Sequence, residues 1–119
     1  MVEDDEIVLD ITSMALSMLG FKVLTARDGV EAVEVFRQHQ EEIRLVLTDF
    51  AMPRMNGLET LNALRRIAPG IPVILASGYS EEQIMEITHP ERPHAFLGKP
   101  YGFQKLKDAI RHSLADKQK

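Results

Sequence analysis

Cysteine is absent from the 119 residues. Its absence excludes a disulfide, a zinc–thiolate centre and a thiol nucleophile, and it fits a reducing cytoplasm. No stretch approaches the roughly 20 apolar residues of a membrane span, and no signal peptide is visible. The expectation is a cytoplasmic protein without membrane insertion. Positive charge is in deficit, since 14 Lys and Arg against 18 Asp and Glu leave a net charge of -4. That balance argues against nucleic acid as a direct partner, a locally basic face aside. There is no glycine-rich phosphate loop, dinucleotide fingerprint or nucleophile elbow. His39, His89, His94 and His112 show no metal-ligand spacing. No internal repeat or low-complexity segment interrupts the chain. What remains is an ordinary globular composition, 45% hydrophobic and 27% charged, spread over one domain, residues 1–119, with a single core.

Ile7, Ile11, Met14 and Met18 recur at helical spacing, with Val8, Ala15 and Leu19 beside them. They predict a helix with one broad apolar face, stopped by Gly20 in a left-handed conformation. Phe21–Ala26 reads as a strand, after which Asp28 caps a helix over Val30, Val33 and Phe36. The apolar run Leu45–Thr48 predicts a buried parallel strand ending just before Asp49. A turn over 53–57 leads to the helical stripe Leu58, Leu61, Leu64 and Ile67, which Pro69–Gly70 ends. Val73–Ala76 reads as another buried strand. Ser80 caps a weakly patterned helix through Ile84 and Ile87, stopped by Pro90 and Pro93. Ala95–Leu97 is a short strand, and Phe103, Leu106, Ile110 and Leu114 mark a last helix. Alternating strand and helix predict an α/β fold: a parallel sheet, helices on both faces, right-handed crossovers. A further strand is implied before Glu3, of which only Met1–Val2 is present, so the first strand reads as truncated.

Asp49 is the most informative residue. An acid at the carboxyl end of a buried strand is presented at the sheet rim, where open α/β sheets bind ligands. A second acidic cluster, Glu3–Asp4–Asp5–Glu6, sits at the end of the implied first strand. Asp5 and Glu6 suit the first turn of a helix; Glu3 and Asp4 are the better ligand candidates. Mg²⁺ prefers oxygen, takes one or two carboxylates and keeps several waters. Without a cation, packed acids raise one another's pKa values. Lys99, between a short strand and Pro100, reads as an ammonium fixed in the cleft, able to pair with a carboxylate or a phosphoryl oxygen. The Lys99–Pro100 bond is a candidate for the cis form. Ser77 after the Val73–Ala76 strand is either a turn serine or a donor to a phosphoryl oxygen. Phe96 reads as core, as do most of the six methionines.

These residues, in order and well spaced, resemble the receiver domain of a two-component response regulator. The pattern runs from Val2–Glu6 through Asp49 with Met52–Pro53 and Gly57, then Ser77–Gly78, Phe96 and Lys99–Pro100. The resemblance implies a flavodoxin-like (βα)5 fold with strand order 2-1-3-4-5. It implies that Asp49 accepts a phosphoryl group from a histidine kinase or histidine phosphotransfer domain. Glu3, Asp4, Asp49 and the Ala51 backbone carbonyl would hold Mg²⁺. Ser77 and Lys99 would contact the phosphoryl oxygens, and Phe96 would move inward when Ser77 is drawn to the phosphate. The fourth helix, fifth strand and fifth helix would form a face for homodimers or output. The wording around Ser77–Ser80 and Lys99–Tyr101 is similar to receivers of hybrid sensor kinases.

The sequence also departs from the pattern. Gly78 stands where alanine is more usual, Ala51 offers no polar side chain, and Tyr79 is bulky. A segment His89–His94 replaces a glycine-alanine lead-in to the last strand. Two other readings compete. A haloacid-dehalogenase-type phosphatase would need an aspartate two residues after Asp49, where Ala51 stands. A degenerate receiver would act as a phosphorylation-independent interaction domain, against which the intact Glu3, Asp4, Asp49 and Lys99 set argues. The expectation is a signalling module and not an enzyme.

Overall fold

In the computed structural model, residues 1–52, 54–78, 82–83, 93, 95–99 and 101–118 are described. Three parallel strands, β1 (Val46–Asp49), β2 (Val73–Ser77) and β3 (Ala95–Gly98), lie in the order β1-β2-β3. Val46 registers with Val73 and Asp49 with Ala76, while Ser77 registers with Gly98. Val2 extends the sheet through parallel bridges to Thr48 on one side and Ala26 on the other. The spatial sequence Ala26, Val2, β1, β2, β3 is thus the expected 2-1-3-4-5 order, with its first two strands reduced to bridges.

The expected strand over Phe21–Ala26 is corrected on that account. Within 21–26 only Ala26 forms a β-bridge, to Val2, with one further hydrogen bond from the Met1 nitrogen to Leu24 O. The strand ends also differ slightly from expectation. Asp49 is the last residue of β1 and not the first after it.

Four helices flank the sheet among the described residues: α1 (Glu6–Met18), α2 (Gly29–His39), α3 (Gly57–Ile67) and α4 (Phe103–Gln118). Side chains alternate across each strand, so the sheet feeds two apolar layers. Val46, Val73 and Leu75 pack with Phe36 of α2 and Leu58, Leu61 and Leu64 of α3. Leu47, Ile74, Ala76 and Leu97 pack with Leu16 of α1 and Leu106 and Ile110 of α4. The caps are local and explicit. Asp5 accepts from the Ile7 and Val8 N–H groups at 3.0 and 3.2 Å, and Asp28 accepts from the Glu31 N–H at 2.8 Å. Asn56 and Glu59 form a reciprocal capping box on α3. Gly20 takes the left-handed φ of 94° that ends α1.

The α1 face is a correction. Ile7, Ile11, Met14 and Met18, expected in the core, are 71%, 64%, 67% and 77% exposed. Leu9, Thr12 and Leu16 on the opposite side are buried instead. The helix is apolar on both sides, and the sheet takes the side that follows from the Asp5 cap and the short loop after Val2. The helix expected after Ser80 with Ile84 and Ile87, the stop at Pro90, the segment 89–92 with His94, Tyr79, and the Lys99–Pro100 cis candidate with Pro100 fall outside the described residues. Of the expected homodimer face, the helix expected after Ser80 falls there with them, while its strand and last helix are described.

Candidate functional site

The acidic residues at the sheet rim converge because three chain ends meet there. Asp49 closes β1, Glu3 and Asp4 follow Val2 in the neighbouring position, and Lys99 follows β3. Carboxylate oxygens of Glu3, Asp4 and Asp49 all lie within 4.8 Å of one another. Glu3 and Asp49 are buried, while Asp4 is exposed. Lys99 Nζ lies 2.7 Å from Asp49 Oδ1 and 3.1 Å from Glu3 Oε1. Its backbone N–H donates to the Ser77 carbonyl at 2.8 Å, which ties the lysine to the end of β2. The Asp5 N–H donates to Glu3 Oε2 at 3.2 Å.

Electrostatics follow from burial and from the excess of acid. Burial pushes the Glu3 carboxyl above its usual range and nearby Asp49 adds to this, while the Asp5 N–H and Lys99 oppose. Burial likewise raises Asp49, with Lys99 opposing and Asp4 reinforcing. For Lys99 burial alone would favour the neutral amine, but its hydrogen bonds to Asp49 and Glu3 outweigh that and hold it above its ordinary value. Three carboxylates around one ammonium leave a site short of positive charge. The donor set is all oxygen, with an exposed acid on its open side, and so fits a hard divalent cation that keeps part of its water.

The remaining candidates are arranged around this cluster. Ser77 is buried at the last position of β2, one residue beyond the register partner of Asp49. Ala51 lies exposed in the bend directly after Asp49 and Phe50. Phe96 is half-buried on β3, packed against the α2–α3 layer. The loop from Phe50 to Asn56 closes tightly, with the Gly57 N–H donating to the Phe50 carbonyl at 2.7 Å. A Cβ on Gly57 would stand 2.6 Å from the Asp49 carbonyl oxygen and 2.8 Å from the Phe50 Cα, so only glycine lets α3 start this close to the acid.

One contact escaped sequence reasoning. Arg54, in the same loop, has φ 66°, a left-handed conformation uncommon for a residue with a Cβ. Its guanidinium pairs with Asp28, whose carboxyl it holds below the usual range, helped by the Glu31 N–H. The cap of α2 therefore also clasps the loop after Asp49. Asp28 announced itself only as a cap, and nothing in the sequence around Arg54 signals a partner 26 residues away.

The model of the response regulator receiver domain family matches residues 1–111. The chain is a response regulator receiver domain. Among curated relatives, the sensor kinase CckA of Brucella abortus is 32% identical over 114 residues, covering 96% of this chain and 12% of the kinase. A cyclic di-GMP phosphodiesterase of Thermotoga maritima is 28% identical, covering 98% of this chain and 30% of that protein. The chain thus spans a minor part of the relatives it matches. Among solved structures, a receiver domain protein from Clostridium thermocellum superposes with a TM-score of 0.89 at 27% identity, covering 98% of this chain and 93% of that one. A CheX–CheY–BeF3–Mg²⁺ complex from Borrelia burgdorferi gives 0.84 at 26% identity, with 92% and 82% covered. The receiver is a module of two-component signalling with the flavodoxin-like fold. Among its described residues no helix is long and apolar enough to cross a membrane.

Proposed function

We propose that this receiver accepts a phosphoryl group on Asp49 from a phosphohistidine, with Mg²⁺ as cofactor, and changes conformation in response. The observation that carries the reading is the Lys99 ammonium 2.7 Å from Asp49 Oδ1, inside a set of three carboxylates. A carboxylate is a modest nucleophile, and its reaction with a dianionic phosphoryl group needs positive charge held in place. Glu3, Asp4, Asp49 and the Ala51 backbone carbonyl are the groups that would hold Mg²⁺, and the Borrelia burgdorferi neighbour solved with BeF3 and Mg²⁺ supports a cation in this fold. Bound there, the ion would neutralise charge on the transferring group.

In the transfer step an Asp49 carboxylate oxygen bonds to phosphorus as the bond from phosphorus to the histidine nitrogen breaks. The imidazole leaves with that electron pair. Lys99 exchanges one carboxylate contact for a phosphoryl oxygen, and Ser77 donates its hydroxyl to another. Phosphorylation adds acceptor oxygens at the end of β1. Drawing Ser77 toward them would open space that Phe96, half-buried on the adjacent strand, fills. The two positions of Phe96 are the states whose balance the phosphate shifts.

The donor of the phosphoryl group is a histidine kinase or histidine phosphotransfer domain. The exposed α1 stripe supports a helical partner. Ile7, Ile11, Met14 and Met18 are spaced by four, three and four residues, the spacing by which one helix packs along another. The stripe begins one turn from Asp4 and Asp5, so a helix seated on it reaches the acidic site.

The test is incubation with Mg²⁺ and acetyl phosphate, read by intact mass beside Asp49→Asn. A single phosphoryl adduct, absent in the variant and in EDTA, is expected. A folded protein that takes no adduct would sink this reading and leave a phosphorylation-independent interaction domain.

A further inference from the structure

The loop between Asp49 and α3 is fastened to a second element, the N-terminus of α2. Asp28, just before that helix, divides its carboxylate between two tasks. Its Oδ1 accepts from the Glu31 N–H at 2.8 Å and caps the helix, while its Oδ2 takes the Arg54 guanidinium of the loop. The Asp28 side chain is only 12% exposed, and that of Arg54 is 61% exposed. The next loop residue, Met55, lies over Gly29, the first residue of α2. A Cβ on that glycine would stand 2.7 Å from Met55 Sδ and 2.9 Å from Met55 Cβ.

Neither local role requires this pair of residues. Asn or Ser caps a helix as well as Asp does. The φ of 66° at Arg54 is one that Gly or Asn adopts more readily, and a side chain such as arginine keeps it only where its surroundings impose it. What Arg54 adds to the turn is its guanidinium on Asp28. The ion pair also sits at a sensitive place. Ala51, whose backbone carbonyl is the fourth group proposed to hold Mg²⁺, lies between Asp49 and Arg54 in this loop. Asp49 is fixed at one end by β1, and Gly57 at the other by its hydrogen bond to the Phe50 carbonyl. The clasp to α2 holds the tip. A loop ordered beforehand loses less conformational entropy when it binds an ion than one that must be ordered by the ion.

We propose that Arg54 and Asp28 are positioning residues for the cation, their ion pair ordering the loop that supplies the Ala51 carbonyl and so tightening Mg²⁺ binding without touching the ion. This role rests on Mg²⁺ being the cofactor of the acidic site. Coupling of this kind is reciprocal. A bound cation therefore tightens the clasp by the same factor, and the N-terminus of α2 registers whether the acidic site is loaded. Charge alone would act differently. Removing a positive side chain near the acids should tighten cation binding, and removing a negative one should weaken it. Loss of the clasp weakens it in both cases.

The test is calorimetric titration of Mg²⁺ at fixed ionic strength into the unaltered chain, Arg54→Asn, Asp28→Asn and the double variant. Asn tolerates the left-handed backbone at 54 and keeps the cap at 28, so only the ion pair is lost. Each single variant is expected to bind Mg²⁺ about two- to fivefold more weakly, the range set by the worth of an ion pair with an exposed partner. The double variant should be no weaker than either single one, and the Gly57 amide should exchange faster in all three. Tighter binding by Arg54→Asn, equal binding by all four chains, or a double variant weakened by the product of the single effects would overturn the proposal. An unaltered chain that takes up no Mg²⁺ at millimolar concentration would overturn the cofactor reading itself, and this role with it, before any substitution is compared.

Discussion

At the scale of single residues, the site rests on two close approaches: Lys99 to its carboxylates and Gly57 to the backbone of Asp49. Lys99→Ala removes one charge-assisted hydrogen bond to the transferring group, worth about 2 kcal/mol, so phosphorylation by acetyl phosphate should slow roughly thirtyfold. Timed intact-mass spectra measure it, and an unchanged rate would remove Lys99 from the transfer step. Asp49→Asn leaves Glu3 to pair with Lys99, so that variant keeps its fold while taking no phosphoryl group. Gly57→Ala acts differently. Its Cβ meets carbonyl and Cα atoms that no rotamer change can clear. Destabilisation of about 1–3 kcal/mol, the usual cost of overpacking, is expected in a denaturant titration. Phosphorylation should fall with it, because the clash displaces Asp49 itself.

At the scale of elements, α1 decides what the protein meets. Ile11→Ser with Met14→Ser removes exposed apolar surface without touching Leu9, Thr12 or Leu16, so the fold stays intact. Transfer from a histidine phosphotransfer domain that phosphorylates the wild type should drop at least tenfold in kcat/KM, about 1.4 kcal/mol, while acetyl phosphate still labels Asp49 at the normal rate. Equal loss with both donors would mean the stripe acts on folding and not on docking. This helix also marks where sequence reading stops. Periodicity 7, 11, 14, 18 announces a helix and an apolar face, but a helix apolar on two sides does not say which side the sheet takes. The Asp28 cap, Asp5 at the start of a helix, the stop at Gly20, the buried run 73–76 and the short strand 95–97 were legible because each is a local preference. Asp49, Glu3, Asp4 and Lys99 were legible as strand-end residues, and the fold brings them together. Phe21–Ala26 was not, since pairing needs a neighbour and the neighbour is one bridge long. The Arg54–Asp28 clasp joins a loop to a cap across 26 positions, a distance that no window of local pattern spans.

At the scale of the whole molecule, buried charge makes stability and cation binding depend on pH in opposing ways. Burial lowers the pKa of the Met1 ammonium, which donates to Leu24 O, from 8.0 to about 6. The unfolded chain therefore takes up a proton at higher pH than the folded one. Stability due to this group is fully present above about pH 8 and is lost as pH falls toward 6, by about 2–3 kcal/mol for a shift of that size. Glu3 and Asp49 run the other way, because burial raises their folded pKa values. Their carboxylates cost stability above those values, and the cost is relieved as pH falls through them toward the unfolded ones. Mg²⁺ binds the same carboxylates only when they are ionised, so the cation competes with protons at this site and nowhere near Met1. Thermal midpoints measured with and without millimolar Mg²⁺ should thus lie close together at acid pH, where Glu3 and Asp49 are protonated, and separate as pH rises toward neutrality, following RT ln(1 + [Mg²⁺]/Kd) as Kd falls. The gap should vanish at every pH in Asp49→Asn with Asp4→Asn, whereas acetylating the Met1 amine should flatten only the cation-free slope between pH 6 and 8. A Mg²⁺ gap independent of pH would show that the cation binds elsewhere, since these buried acids cannot take it up without giving up their protons.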